Sequence, residues 1–229
     1  MVFGSTRSFK SVAHSLGMNL LLDVDGVLVR DRKILDITRR NISSYVRMKV
    51  PRAKDPDKLR EYLYKRYGHT GHGLTKLLGI PTPDFNTYVY DKDLMSSLVD
   101  MLCTEQFTTD TKTIRMIMDR GHIVTLFSNA PPLWTLPIAE AIDPRVRVAH
   151  FPGLKPNPVA YASLRTNRRT NIFVDDSLKN LKPVTNLPGW VPIHFSEEIQ
   201  DWSYPTIQYL DQLLYVLDRA YDESTQPSL

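Results

Sequence analysis

A single cysteine, Cys103, stands among 229 residues. No internal disulfide can form, so packing must hold the fold, and a reducing compartment is compatible with the chain. The neighbours Met101 and Leu102 predict that Cys103 is a buried, inert helix residue. Long apolar runs are missing as well. None approaches the ~18–20 residues that a membrane helix requires, so no membrane association is expected. No block of Lys and Arg exists, which argues against a nucleic-acid polymer as partner. The densest basic patch, Arg165, Arg168 and Arg169, reads as a solvated helix end. We find neither an internal repeat nor a low-complexity linker.

What remains is an ordinary globular composition: 42% hydrophobic, 24% charged, net charge +4. The length suits one large domain or one domain with an inserted module. The mild positive charge suits a small anionic ligand. The first 18 residues carry Arg7 and Lys10, several serines and threonines and no acid. They read as a flexible tail with a faint likeness to an organelle-targeting segment, and they lack the apolar centre of a secretory signal. A cytoplasmic protein, monomeric or homodimeric, is expected.

The most informative stretch is Asn-Leu-Leu-Leu-Asp-Val-Asp-Gly-Val-Leu at 19–28. An apolar run enters it like a buried strand. Asp23 and Asp25 follow, two apart and so on one face of an extended segment, and Gly26 permits a sharp turn. In open parallel sheets, ligands bind at such strand ends. Two crowded carboxylates suit a hard cation, and one can attack an electrophile. Ile34, at the twelfth loop position where an EF-hand carries a Glu, argues against a calcium loop of that kind.

Three further signals come in order. Ile123–Phe127 reads as a strand ending in Ser128-Asn129; Leu154-Lys155-Pro156 follows; Asn171–Val174 reads as a strand running into Asp175-Asp176-Ser177. The series Asp-x-Asp, Ser, Lys, Asp-Asp resembles the haloacid dehalogenase (HAD) superfamily of phosphohydrolases. The four motifs span residues 23–176, most of the chain.

About 90 residues separate Leu28 from the strand near His122, whereas a strand-to-strand crossover needs only ~12. The excess reads as a helical insertion. Asp55-Pro56 supplies an N-cap and a first-turn proline, and Leu59, Tyr62, Leu63 and Tyr67 recur at helical spacing up to Gly68. Leu74, Leu77 and Leu78 mark a second helix; Leu94, Leu98, Met101 and Leu102 mark a third. A helix over 110–120 leads back into the core. Later strands are expected at 146–149 and 190–194, and a final amphipathic helix carries Ile207, Leu210, Leu214 and Leu217. This alternation implies an α/β fold with a Rossmann-like parallel sheet. The expected division is a tail at 1–18, a core at 19–35 and 106–229, and a helical cap at 36–105. That layout matches the superfamily's type 1 cap.

The resemblance implies a role for each motif residue. Asp23 would be the nucleophile that forms an aspartyl-phosphate. Asp25 would be the general acid and base, a residue typical of the superfamily's phosphatases and mutases and different in its dehalogenases. Ser128, with Asn129 beside it, and Lys155 would bind the phosphoryl group. Asp23, Asp25 (through its carbonyl), Asp175 and Asp176 would hold Mg2+, with Asp175 acting through water; Asn180 would support this acidic loop. In the cap, residues 64–74 resemble pyrimidine 5'-nucleotidase-like members, which points to Tyr67, His69 and His72 as substrate contacts. The function so implied is a magnesium-dependent phosphomonoesterase acting on a small phosphorylated metabolite, a nucleoside 5'-monophosphate first. Other small phosphate esters (sugar phosphate, phosphoserine), a mutase, a protein phosphatase and a catalytically silent binding module are the alternatives.

Overall fold

The computed structural model describes residues 17–149, 154–164, 170–198 and 203–225. Strand β1, Asn19–Leu22, is buried at all four positions. Helix α1 spans Arg32–Lys49, α2 Pro56–Tyr67, α3 Thr70–Leu78, α4 Thr82–Val89, α5 Lys92–Leu102 and α6 Glu105–Asp119. The chain then alternates: β2 Ile123–Leu126, α7 Pro132–Ile142, β3 Arg147–Val148, α8 Pro158–Ala162, β4 Asn171–Asp175, α9 Leu178–Leu181, β5 Trp190–Phe195, β6 Thr206–Ile207 and α10 Gln212–Thr225.

The six strands form one sheet in the order β3-β2-β1-β4-β5-β6, and every pairing is parallel. This is the expected Rossmann-like α/β architecture. Leu22 pairs with Leu126 on one side and Val174 on the other. The next residue of each strand is therefore level at one sheet edge: Asp23, Phe127 and Asp175. Because β1 lies between β2 and β4, the chain winds away from it in both directions. Such a switch point leaves a crevice above the strand ends.

The insertion forms four helices over the crevice. Tyr45, Val46, Leu63, Leu74, Phe85 and Val89, from α1 to α4, make a separate apolar cluster. Helix α5 differs: Leu94, Leu98 and Met101 pack with the strands. Within the expected cap at 36–105, the buried members of the separate cluster run from Tyr45 to Val89, with Tyr90 packed against it. Helix α2 starts as the sequence implies, with the Asp55 carboxylate accepting from the Lys58 amide at 3.0 Å. It ends at Gly68 with φ +77°.

Several expectations require correction. Cys103 is exposed: it lies one residue beyond α5, turned away from the face that Leu98 and Met101 bury. Tyr62, Leu77 and Leu78 are also exposed. The last helix starts at Gln212, and Ile207 belongs to the short edge strand β6. Helices α1 and α4 were not foreseen. The first 16 residues and Arg165, Arg168 and Arg169 lie outside the described residues. Among the described residues, no helix is long and apolar enough to cross a membrane.

Candidate active site

The sheet's edge gathers the core motifs. Lys155, buried to 1% exposure, donates from Nζ to Asp23 Oδ1 at 2.9 Å and to Asp175 Oδ2 at 2.6 Å. It lies over the Phe127 and Phe173 rings at 5.3 and 5.4 Å. Burial favours the neutral amine, but Asp175 and Asp23 outweigh it and keep the ammonium charged. Asp175 is fully buried and fully partnered. Its Oδ1 accepts from the Ser177 amide at 2.9 Å and Asn180 Nδ2 at 3.0 Å, and its Oδ2 from Lys155 and Asn180. Asn180 supports the acidic loop as expected.

Asp23 Oδ1 accepts from the Val24 amide at 2.7 Å as well as from Lys155. Burial, then Asp175, pushes its carboxyl well above the usual carboxylate range. Asp176 opens into the crevice and is raised to about 7 by loss of solvent and by Asp175. Asp23, Asp175 and Asp176 each bring a carboxylate oxygen within 4.8 Å of the others. Three carboxylates face one ammonium, an excess of negative charge that a divalent cation would relieve. Gly26, at φ +87°, makes this approach possible, because a Cβ there would collide with the Asp176 carboxylate.

Asp25 has a partner that the sequence hid. Trp134, from α7, donates its indole N–H to Asp25 Oδ1 at 2.9 Å. Burial raises the Asp25 carboxyl, and this hydrogen bond partly offsets it. Tyr90 packs on the Trp134 ring at 5.4 Å. Ser128 caps its own turn, accepting from the Ala130 amide at 3.1 Å, which leaves its hydroxyl proton to donate elsewhere. Asn129 uses its side chain to fasten neighbours. Its Nδ2 donates to Lys155 O at 2.9 Å and to Gly68 O at 3.2 Å, and its Oδ1 accepts from the Lys155 amide at 2.8 Å. It thereby joins the cap to the turn that carries Lys155.

Asp23, Asp25, Ser128, Asn129, Lys155, Asp176 and Asn180 line a cavity of about 350 Å³ roofed by Leu35, Thr38, Arg39, Ile42, Arg60, Tyr64, His69, Phe85 and Tyr90. His69 is the N-cap of α3. Its Nδ1 accepts from the His72 amide at 3.2 Å, and burial, then His72, lowers it to about 4. The ring is therefore neutral, with the proton on Nε2. The structure does not bring Tyr67 and His72 into this cavity. They line a separate groove with Arg66, Lys76 and Pro156. Arg60, one helical turn before Tyr64, lines the cavity instead.

No protein-family model and no curated protein matches the chain. Solved structures do. A 2-haloacid dehalogenase from Pseudomonas syringae pv. Tomato superposes over 89% of this chain and 99% of its own, with TM-score 0.53 at 16% identity. A haloacid dehalogenase-like family hydrolase from Xanthomonas campestris covers 92% and 95%, with TM-score 0.52 at 12% identity. The protein has the haloacid dehalogenase-like fold. Within that fold, this chain carries a buried acidic cluster, a bridging lysine and a capped cavity.

Proposed function

We propose that the protein is a magnesium-dependent phosphomonoesterase that works through an aspartyl-phosphate at Asp23. The observation that carries this reading is the Lys155 bridge between Asp23 and Asp175, with Asp25 and Ser128 lining the same cavity. The donor set suits a hard cation. Asp23 Oδ2 and the Asp176 carboxylate accept no hydrogen bond from another described residue, so these two and the Asp25 carbonyl would hold magnesium. Asp175 has every oxygen engaged and acts from behind. The ion would supply neutralisation of the phosphoryl oxygens.

The residues divide the rest of the work. The Asp23 carboxylate attacks phosphorus while the ester P–O bond breaks, and Asp25 gives its proton to the leaving oxygen. Asp25 then takes a proton from the water that attacks the aspartyl-phosphate, releasing inorganic phosphate and restoring Asp23. Ser128 and Lys155 donate to the oxygens on which charge develops. Asp25 argues for phosphoester chemistry over dehalogenation, because a haloacid's leaving halide needs no proton. A nucleoside 5'-monophosphate is the first candidate: the cavity's size and the aromatic residues among its lining, Tyr64 and Tyr90, suit a base and sugar. The test is a hydrolysis screen over nucleotides and sugar phosphates, with magnesium and with chelator. Absence of magnesium-dependent release of phosphate from every ester would overturn the reading.

A further inference from the structure

Charge in the cavity is segregated. Its floor holds Asp23, Asp25, Asp176 and Lys155, and the charged residues that line its roof, among the described residues, are Arg39 and Arg60. Arg39 pairs at the surface with Asp36 at 2.7 Å. Arg60 is different. Its side chain is 24% exposed, and its Nε is buried without a hydrogen-bond partner among the described residues. The nearest acid, Asp57, stands at 3.8 Å, and the same Asp57 oxygen already accepts from the Ser43 hydroxyl at 2.5 Å. A buried donor on a cation is costly when left unpaired. A guanidinium's planar fork matches a carboxylate or phosphate.

The floor already accounts for one phosphoryl group, through Ser128, Lys155 and the acidic cluster. The roof arginines have no part in that. We infer that the roof is an oxyanion subsite: Arg60, with Arg39 beside it, holds a second anionic group, carboxylate or phosphate, on the substrate's leaving group. The inference rests on the phosphomonoesterase reading for the place of the first anion. It narrows the substrate class to small esters with an anion at each end. Among nucleotides, it favours those bearing a second phosphate or a carboxylate over plain monophosphates. Tyr64 and Thr38, which line the same roof, would flank the second group.

Binding of non-hydrolysable probes separates this subsite from turnover. In magnesium buffer, calorimetry compares propylphosphonate, 3-phosphonopropionate and propane-1,3-diphosphonate. We expect at least one doubly anionic probe to bind about tenfold tighter than propylphosphonate, and the stronger of the two identifies the oxyanion. Arg60→Gln should erase most of that ratio and Arg39→Gln part of it. Equal affinity of all three probes in wild type overturns the proposal, whatever the variants do. A ratio unchanged in folded Arg60→Gln also overturns it. Hydrolysis of ethyl phosphate by the same sample addresses the other reading. Turnover without a probe ratio sinks the subsite alone; a probe ratio without turnover of any ester sinks the phosphatase reading alone.

Discussion

Trp134, from α7, holds Asp25: its indole N–H donates to Oδ1 at 2.9 Å, although the two lie 109 positions apart in the sequence. The bond fixes which way the carboxyl of the proposed general acid points. Trp134→Phe keeps an aromatic ring and removes the donor. For an alkyl phosphate, whose leaving oxygen needs the proton, kcat/KM should fall about tenfold more than for 4-nitrophenyl phosphate. Equal losses on both esters would deny Trp134 this role.

Asn129 ties two loops together with one amide. In Asn129→Ala, Gly68 and Lys155 lose their shared partner, and the fold should lose about 1–3 kcal/mol. The cap should also close less well, so KM rises more than kcat falls. Thermal unfolding and steady-state kinetics check both. A variant as stable as wild type with unchanged KM would show that the clasp contributes nothing.

Gly26 permits both a left-handed backbone and the approach of Asp176. A methyl group at this position adds backbone strain of about 1–2 kcal/mol and pushes the Asp176 carboxylate aside. The magnesium concentration for half-maximal activity should rise severalfold in Gly26→Ala. An unchanged magnesium requirement would show that Asp176 is not a ligand.

His69 links pH to stability. Its folded pKa, about 4, lies below its ordinary value of 6.5, so the unfolded chain takes the proton first as pH falls. The contribution is complete above pH 6.5 and is lost on descent toward about 4. Asn is also a good N-cap and does not titrate. The stability of wild type relative to His69→Asn should be constant above pH 6.5 and decline below it. A difference that stays flat down to pH 4 would mean that His69 is not desolvated.

The strands that build the site were legible because parallel strands buried on both faces are short apolar runs. Leu20–Leu22, Ile123–Leu126 and Asn171–Val174 each lead straight into a carboxylate or a serine turn. The carboxylates, Ser128 and Lys155 were singled out by their order and by the superfamily resemblance that this order carries. Helix α1 was hidden because it buries Asn41 and Ser43 among charged neighbours, and α4 because Pro81 and Pro83 read as breakers. Ile207 fits the spacing of Leu210, Leu214 and Leu217, so a two-residue edge strand passed for a helical turn. Trp134 and Arg60 reach the site only through tertiary packing. Nothing in local spacing marks such residues, and His69 lines the cavity from the extended N-cap position of α3 whereas His72, inside the helix, lines the other groove.

The central claim is that Asp23 carries the phosphoryl group. The most direct measurement is magnesium-supported hydrolysis of 4-nitrophenyl phosphate by wild type and Asp23→Asn, with the acid-quenched wild-type protein examined for a phosphorylated peptide containing residue 23. We expect a fall in kcat of at least about a thousandfold with the fold retained, and a phosphoryl adduct at Asp23 in the wild type only. Hydrolysis by Asp23→Asn close to the wild-type rate, or an adduct at another residue, would contradict the account.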